Sequence, residues 1–148
     1  MKERFTRLFE YNLWANGQLA ESLRVNPIEN DKVLKLTSHL ANAQVIWLDR
    51  VQGQSSTVGV WDEYSQKETL ELLERSSQDW LDFLYSAEDL EEVIEYKNSK
   101  GQTYESRIED ILNHVVNHGT HHRAQVMLLL RQENIDPPAL DFIFYVRS

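Results

Sequence analysis

Four of the chain's five histidines lie between positions 114 and 122. Three of them, His114, His118 and His122, recur at every fourth residue, and on an α-helix this spacing places them on one side of the rod. Imidazole is the commonest metal-binding side chain in proteins. The segment therefore predicts a metal site on a helix, and it leaves open which of the histidines bind the ion.

Helical phase divides these histidines into two pairs. At about 100° per residue, His118 and His122 fall at the centre of the apolar face of the helix, whereas His114 and His121 fall at its edge. Buried imidazoles need polar partners, because an unsatisfied buried polar group costs about 1–3 kcal/mol. A metal ion would satisfy both central rings at once; internal hydrogen bonds are the alternative. His114 and His121 are better suited to orienting a ligand ring or carrying a proton than to binding the ion.

A third metal ligand has to come from another helix. His39, the remaining histidine, lies on the apolar stripe of an upstream helical segment. Three protein ligands leave a position open for water or substrate, which is typical of catalytic metal sites. The predicted metal ligands are therefore His39, His118 and His122. The candidate catalytic residues are His114, His121 and Tyr11, the last of which we place near the mouth of the site.

Other catalytic patterns are absent from the sequence. The stretch His-Gly-Thr-His-His at 118–122 lacks the glutamate of the zinc-protease motif HExxH. The Glu-x-x-His signature of diiron bundles is also missing from this segment. Because the chain contains no cysteine, a metal site must rely on histidine and carboxylate ligands. Any reactive thiol has to arrive as a cosubstrate.

The composition favours one soluble domain over residues 1–148. The net charge of −9 argues against nucleic acid as a partner, because phosphate binding needs a basic patch. No apolar run approaches the roughly 20 residues that span a bilayer, and the charged N-terminus does not resemble a signal peptide. We therefore expect no membrane partner and a cytoplasmic location, with which the absence of cysteine agrees.

Four long segments with helical periodicity follow one another at about residues 3–23, 31–51, 65–86 and 106–133. Capping-box patterns begin the third and fourth of these segments, Ser65 to Glu68 and Ser106 to Glu109. Between these two segments, alternating runs at 91–97 and 102–106 flank a turn with Gly101. This pattern predicts a small hairpin or an irregular crossover.

These segments predict an all-α fold, a four-helix bundle with a short hairpin or crossover before the last long helix. The long connections on either side of the third segment permit a non-sequential topology. Residues 53–64 form a loop rich in Gly and Ser, in which Trp61 is either exposed or a plug. The apolar tail at 140–147 is expected to pack on the bundle or on a partner.

Several stretches of the chain resemble the DinB family of bacterial damage-inducible proteins. They are the histidine segment 114–125, Ser-His-Leu at 38–40, Ile-Trp-Leu at 46–48, Leu-Trp-Ala-Asn at 13–16 and the aromatic tail at 140–145. The resemblance implies an up-down-down-up bundle of the DinB/YfiT-like superfamily and frequent homodimers. It also implies a divalent metal ion held by one histidine on the second helix and an i, i+4 pair on the last long helix. In this chain those positions are His39, His118 and His122.

The residues and the resemblance together predict a cytoplasmic enzyme that uses Zn²⁺ or Ni²⁺ to act on a small molecule. Because the superfamily includes thiol-dependent transferases, the resemblance implies a low-molecular-weight thiol as cosubstrate. Metal-assisted hydrolysis is the second reaction class. The alternative is a stress-response binding protein, or a dimeric scaffold, whose metal is structural or absent.

Overall fold

The computed structural model describes all residues from 1 to 148. Four long helices pack side by side, a two-stranded sheet precedes the fourth, and a short helix ends the chain. In chain order the elements are α1 (Lys2–Val25), α2 (Asp31–Val51), α3 (Gln66–Ser86), β1 (Val93–Lys97), β2 (Thr103–Arg107), α4 (Ile108–Gln132) and α5 (Phe142–Arg147). None of the helices combines the length and the apolar character that crossing a membrane requires.

The all-α class predicted from the sequence is wrong, because the chain contains an antiparallel sheet. Strands β1 and β2 pair with Val93 opposite Arg107 and Tyr96 opposite Tyr104. Gly101 adopts a φ of +78° in the connecting turn, a conformation that glycine adopts without steric cost. The alternating runs on either side of this turn therefore form paired strands, and the connection before α4 is a hairpin.

Capping explains where α3 begins, but not where α4 begins. The Ser65 hydroxyl accepts a hydrogen bond from the Glu68 backbone N–H, and the Glu68 carboxylate accepts one from the Ser65 backbone N–H. The predicted capping box at Ser106 does not form. Ser106 belongs to β2, where its hydroxyl lies 3.1 Å from the Tyr96 hydroxyl. Helix α4 starts after Arg107 without a side-chain cap.

Helices α1 and α2 each pack against both α3 and α4. Two apolar clusters fill the space between the long helices. One cluster includes Leu73 and Leu130, and the other includes Phe9, Trp80 and Leu112. The rings of Phe9 and Trp80 are fully buried, with centroids 5.2 Å apart. Each cluster draws residues from several helices, so burial of these side chains fixes how the helices sit against one another.

A buried polar network lies between the two apolar clusters and joins the four long helices. The Arg123 guanidinium on α4 donates hydrogen bonds to the side-chain oxygens of Asn12 and Asn16 on α1, at 2.7 and 2.9 Å. Both asparagines donate to the Gln44 side chain on α2. Asn16 and Gln44 also donate to the Ser77 hydroxyl on α3. The network satisfies polar groups that would be costly to bury unpaired.

Helix α5 packs against α1. The Tyr11 hydroxyl donates a 2.7 Å hydrogen bond to the Leu140 carbonyl, just before α5. The Tyr145 ring contacts those of Tyr11 and Trp14, with centroids 5.9 and 5.7 Å apart. The apolar tail therefore packs on the helices of its own chain.

Candidate metal centre

The structure brings His39, His118 and His122 together, with one ring nitrogen from each within 4.8 Å of the others. His39 lies on α2 and is 7% exposed, whereas the other two lie one turn apart on α4. The Nε2 atoms of His39 and His118 are 3.1 Å apart. Two nitrogens bound to one zinc ion at the usual bond length and a tetrahedral angle lie about 3.3 Å apart. The spacing of these two donor atoms therefore fits a shared ion.

Hydrogen bonds on the far side of two rings fix which nitrogen faces the site. The His39 Nδ1 lies 3.0 Å from the Val60 carbonyl oxygen and donates to it. The His122 Nδ1 lies 2.7 Å from the Gln125 side-chain oxygen and donates to it. Each bond places the ring's proton on Nδ1 and leaves the Nε2 lone pair free. Metal-ligating histidines are oriented in this way, so the donor set fits a divalent ion.

The surroundings of the site favour the neutral form of His118 and His39. Burial first, and then the neighbouring imidazoles, with His122 the largest contributor among them, lower the pKa of His118 to about 3. Burial also lowers the pKa of His39, against the opposing effect of the hydrogen bond to Val60. A metal ion binds the unprotonated imidazole. At neutral pH these two rings are therefore mostly unprotonated and can bind an ion without first losing a proton.

The loop between α2 and α3 forms one wall of the site. Trp61 stacks on the His39 ring with centroids 3.9 Å apart and planes inclined by 11°. The Asn42 side chain donates to the Asp62 carbonyl and accepts from the Tyr64 hydroxyl, at 2.9 and 2.7 Å. Trp61 is half-exposed, so it covers one face of His39 while its own outer face meets solvent. The loop thus holds His39 through both the carbonyl of Val60 and this stacked ring.

The other three candidates lie outside the group of ligand atoms. His114 is exposed and its ring packs on Trp47, with centroids 5.0 Å apart. His121 is also exposed, and its ring centroid lies 4.8 Å from that of His122. Tyr11 is buried against α5, and its hydroxyl bonds to Leu140. Proton transfer by any of these three residues stays a prediction.

Two groups that orient the site were not singled out from the sequence. Gln125 follows His122 by three residues, so helical spacing places its side chain beside the ring, and this signal was available. The Val60 carbonyl had no such signal, because every residue carries a carbonyl group. Its position depends on how the loop folds back onto α2.

Comparison with known proteins agrees with the resemblance seen in the sequence. The sequence model of the DinB family matches residues 1–148, the whole chain. The chain is also similar to Protein DinB of Bacillus subtilis (strain 168), with 25% identity over 158 residues that cover 95% of this chain and 92% of the relative. The chain therefore belongs to the DinB family.

Proposed function

We propose that this protein is an enzyme that depends on a divalent metal ion held by His39, His118 and His122. The observation that carries the proposal is the convergence of three ring nitrogens from two helices, with no fourth protein ligand in the group. A closed set of four protein ligands is typical of structural zinc sites, whereas three ligands leave room for a reacting molecule. Zinc and nickel both suit imidazole ligands.

Residues around the proposed ion would have different roles in binding and catalysis. A bound ion would supply Lewis-acid activation and would lower the pKa of a water molecule or thiol that it binds. Val60 and Gln125 orient two of the ligand rings, and Trp61 shields one face of His39 from water. His114 and His121 stand beside the ligand histidines, where an imidazole can carry a proton to or from a substrate.

The reaction class that we favour is transfer involving a low-molecular-weight thiol, with metal-assisted hydrolysis of a small molecule as the second class. The chain has no cysteine, so the thiol would be a cosubstrate that reaches the open position. Family membership supports this choice, because the superfamily includes thiol-dependent transferases. We further propose that the protein acts as a homodimer in the cytoplasm, which family membership and the absence of cysteine support.

Cobalt substitution tests the thiol cosubstrate directly. Co²⁺ bound in place of the native ion absorbs visible light, and its spectrum changes when a sulfur ligand joins the imidazoles. We expect low-molecular-weight thiols to change the spectrum of the cobalt-loaded protein. After unbound Co²⁺ has been removed by gel filtration, the same thiols should produce no such change with the His118→Ala variant. A cobalt-loaded wild-type spectrum that no thiol perturbs would contradict thiol chemistry and favour hydrolysis.

A further inference from the structure

A cleft of about 530 Å³ lies between the end of α2, the loop after it and strand β1. Two basic residues, Arg50 and Lys97, are among the residues that line this cleft, and Glu95 is the one acidic residue among them. The whole chain carries a net charge of −9, so a cleft with more cations than carboxylates differs from the rest of the surface. We call it the Arg50 cleft.

Arg50 is held by aromatic rings and not by a carboxylate. Its guanidinium carbon lies 4.4 Å from the centroid of the Trp47 ring and 5.2 Å from that of Tyr96. The ion pairs of the protein involve Arg24, Lys67 and Arg107, and none includes Arg50. Partial burial lowers the pKa of Arg50, which marks it as a desolvated cation.

Stacking on aromatic rings leaves the hydrogen-bonding capacity of a guanidinium free. The rings contact the faces of the planar group, whereas its five N–H donors point outward in the plane. A fork of this kind matches the two oxygens of a carboxylate or phosphate. Ser55 and Ser56 line the same cleft and add hydroxyl donors opposite the strand. The Arg50 cleft therefore offers a fixed cation together with neutral donors.

The Arg50 cleft and the three-histidine site share structural parts. Val60 lines the cleft, and its carbonyl accepts the hydrogen bond from His39. Trp47 contacts Arg50 and also packs on His114, whose ring centroid lies 5.5 Å from that of His118. Arg50 follows His39 by eleven residues on α2, a rise of about 16 Å along the helix. A molecule that reaches both places must therefore be elongated.

We propose that the Arg50 cleft binds an oxyanion, a carboxylate or a phosphate, at one end of the substrate that reacts at the three-histidine site. Arg50 anchors the oxyanion, and Lys97 adds charge. This inference rests on the proposed function, and it narrows the substrate class to elongated molecules with an anionic end. An anionic low-molecular-weight thiol has this chemistry.

Titration of the metal-free protein with simple anions tests the inference. Inorganic phosphate and succinate serve as separate probes, and two-dimensional ¹H–¹⁵N spectra follow the backbone amides of Ser55, Ser56 and Lys97. We expect these amides to shift on titration, and the anion that binds more tightly identifies the chemistry of the substrate's anionic end. Arg50→Gln should weaken binding by about tenfold or more, because hydrogen bonds to charged groups are stronger than neutral ones.

Two further variants serve as controls for the anion affinity of Arg50→Gln. Arg50→Lys retains the charge and much of the stacking but loses the planar fork, so its affinity should fall between those of wild type and Arg50→Gln. Arg131→Gln removes an exposed guanidinium from the end of α4 and should bind both anions as the wild type does. Equal anion affinity in wild type and Arg50→Gln, or no shift of the cleft amides with either anion, would overturn the inference.

Zinc titration of the same samples separates this inference from the proposed function. Arg50→Gln should bind zinc as tightly as the wild type, because Arg50 is not among the ligands. If zinc binds but the anions do not bind at Arg50, the inference alone fails. If the anions bind at Arg50 and no zinc binds to the histidines, the proposed metal-dependent enzyme fails, and the substrate role of the cleft fails with it.

Discussion

At the scale of single residues, the site depends on groups that hydrogen-bond the outer nitrogen of two of its three imidazoles. The His39 and His122 rings each donate from Nδ1, to the Val60 carbonyl and to the Gln125 amide oxygen respectively. Such bonds restrict ring rotation and make the opposite nitrogen a better donor to a metal ion. Gln125 can be removed by mutation without touching a ligand, so it tests this arrangement more cleanly than the backbone carbonyl does.

We expect Gln125→Ala to weaken metal binding by about 10- to 100-fold while leaving the helix intact, because the His122 ring loses its orienting acceptor. Competition with a chromophoric chelator would measure the affinity. Gln132→Ala, at the exposed end of the same helix, is the matched control and should bind like the wild type. Equal affinities for Gln125→Ala and the wild type would show that this hydrogen bond does not support a metal ligand.

The low pKa of His118 predicts how the stability of the metal-free protein changes with pH. The ring has a pKa of about 3 in the folded protein, against the ordinary value of 6.5. Below pH 6.5 the unfolded chain binds a proton at His118 that the folded protein does not bind. The free energy of unfolding should therefore decrease as the pH falls from about 6.5 towards 3.

Urea unfolding of the metal-free protein at several pH values between 8 and 4.5 would measure this dependence. In His118→Gln the decrease should be shallower than in the wild type, because the titrating ring is gone. Asn117→Gln, at an exposed neighbouring position, should retain the wild-type dependence. Parallel curves for His118→Gln and the wild type would mean that burial of His118 does not shift its protonation.

At the scale of elements, the close approach of α4 to α1 depends on a glycine. A Cβ atom at Gly119 would lie 2.9 Å from the Arg123 Nη1 and 2.9 Å from the Asn12 side-chain oxygen. Those two atoms are themselves joined by a 2.7 Å hydrogen bond in the buried network. Neither can move away without breaking contacts to its other partners. Gly119 therefore provides the space in which the Arg123 side chain crosses towards α1.

Two glycine substitutions test this packing, because they have opposite expected signs. Gly119→Ala should lower the free energy of unfolding by about 1–3 kcal/mol, as overpacked sites do. Gly17→Ala on α1 should raise it by about 0.5–1 kcal/mol, because no atom lies within 4 Å of the new Cβ and alanine favours helix. Chemical denaturation would measure both, and a stabilising Gly119→Ala would contradict the packing described for Arg123.

The helices could be predicted from the sequence more completely than the strands. Apolar side chains repeat at helical spacing over 20 or more residues, and the predicted segment 31–51 coincides with α2. The alternation in β1 and β2 extends over only five residues each, so the sequence as a whole predicts an all-α class, and this prediction is wrong. The capping box predicted at Ser106 does not form for a related reason. Ser106 pairs with Ile94 as part of strand β2, and α4 begins only after that strand ends.

The grouping of three histidines could also be predicted, because helical phase places two of them inward and one face of α2 supplies the third. The position of Arg123 could not be predicted in this way. Arginine is almost never fully buried unless it is paired, yet this side chain is 1% exposed and is held by two asparagines from another helix. Its partners lie more than 100 residues away in the chain, so no local pattern reveals them.

At the scale of the whole molecule, the fold separates a stabilising centre from a site at its edge. The network around Arg123 and the apolar clusters join the four long helices. The three histidines lie between α2 and α4, where the loop with Trp61 covers them only in part. A metal ion bound at such an edge would not be needed to hold the core. We therefore expect removal of the metal to abolish activity and leave the helices folded.

Metal content is the measurement that tests the central claim most directly. Untagged wild-type protein, His118→Ala and His39→Ala would be purified identically and analysed by mass spectrometry for bound metals, with circular dichroism to monitor folding. We predict close to one divalent ion per wild-type chain, loss of that ion in both variants, and retention of the helical spectrum. The same low metal content in all three proteins would contradict the account.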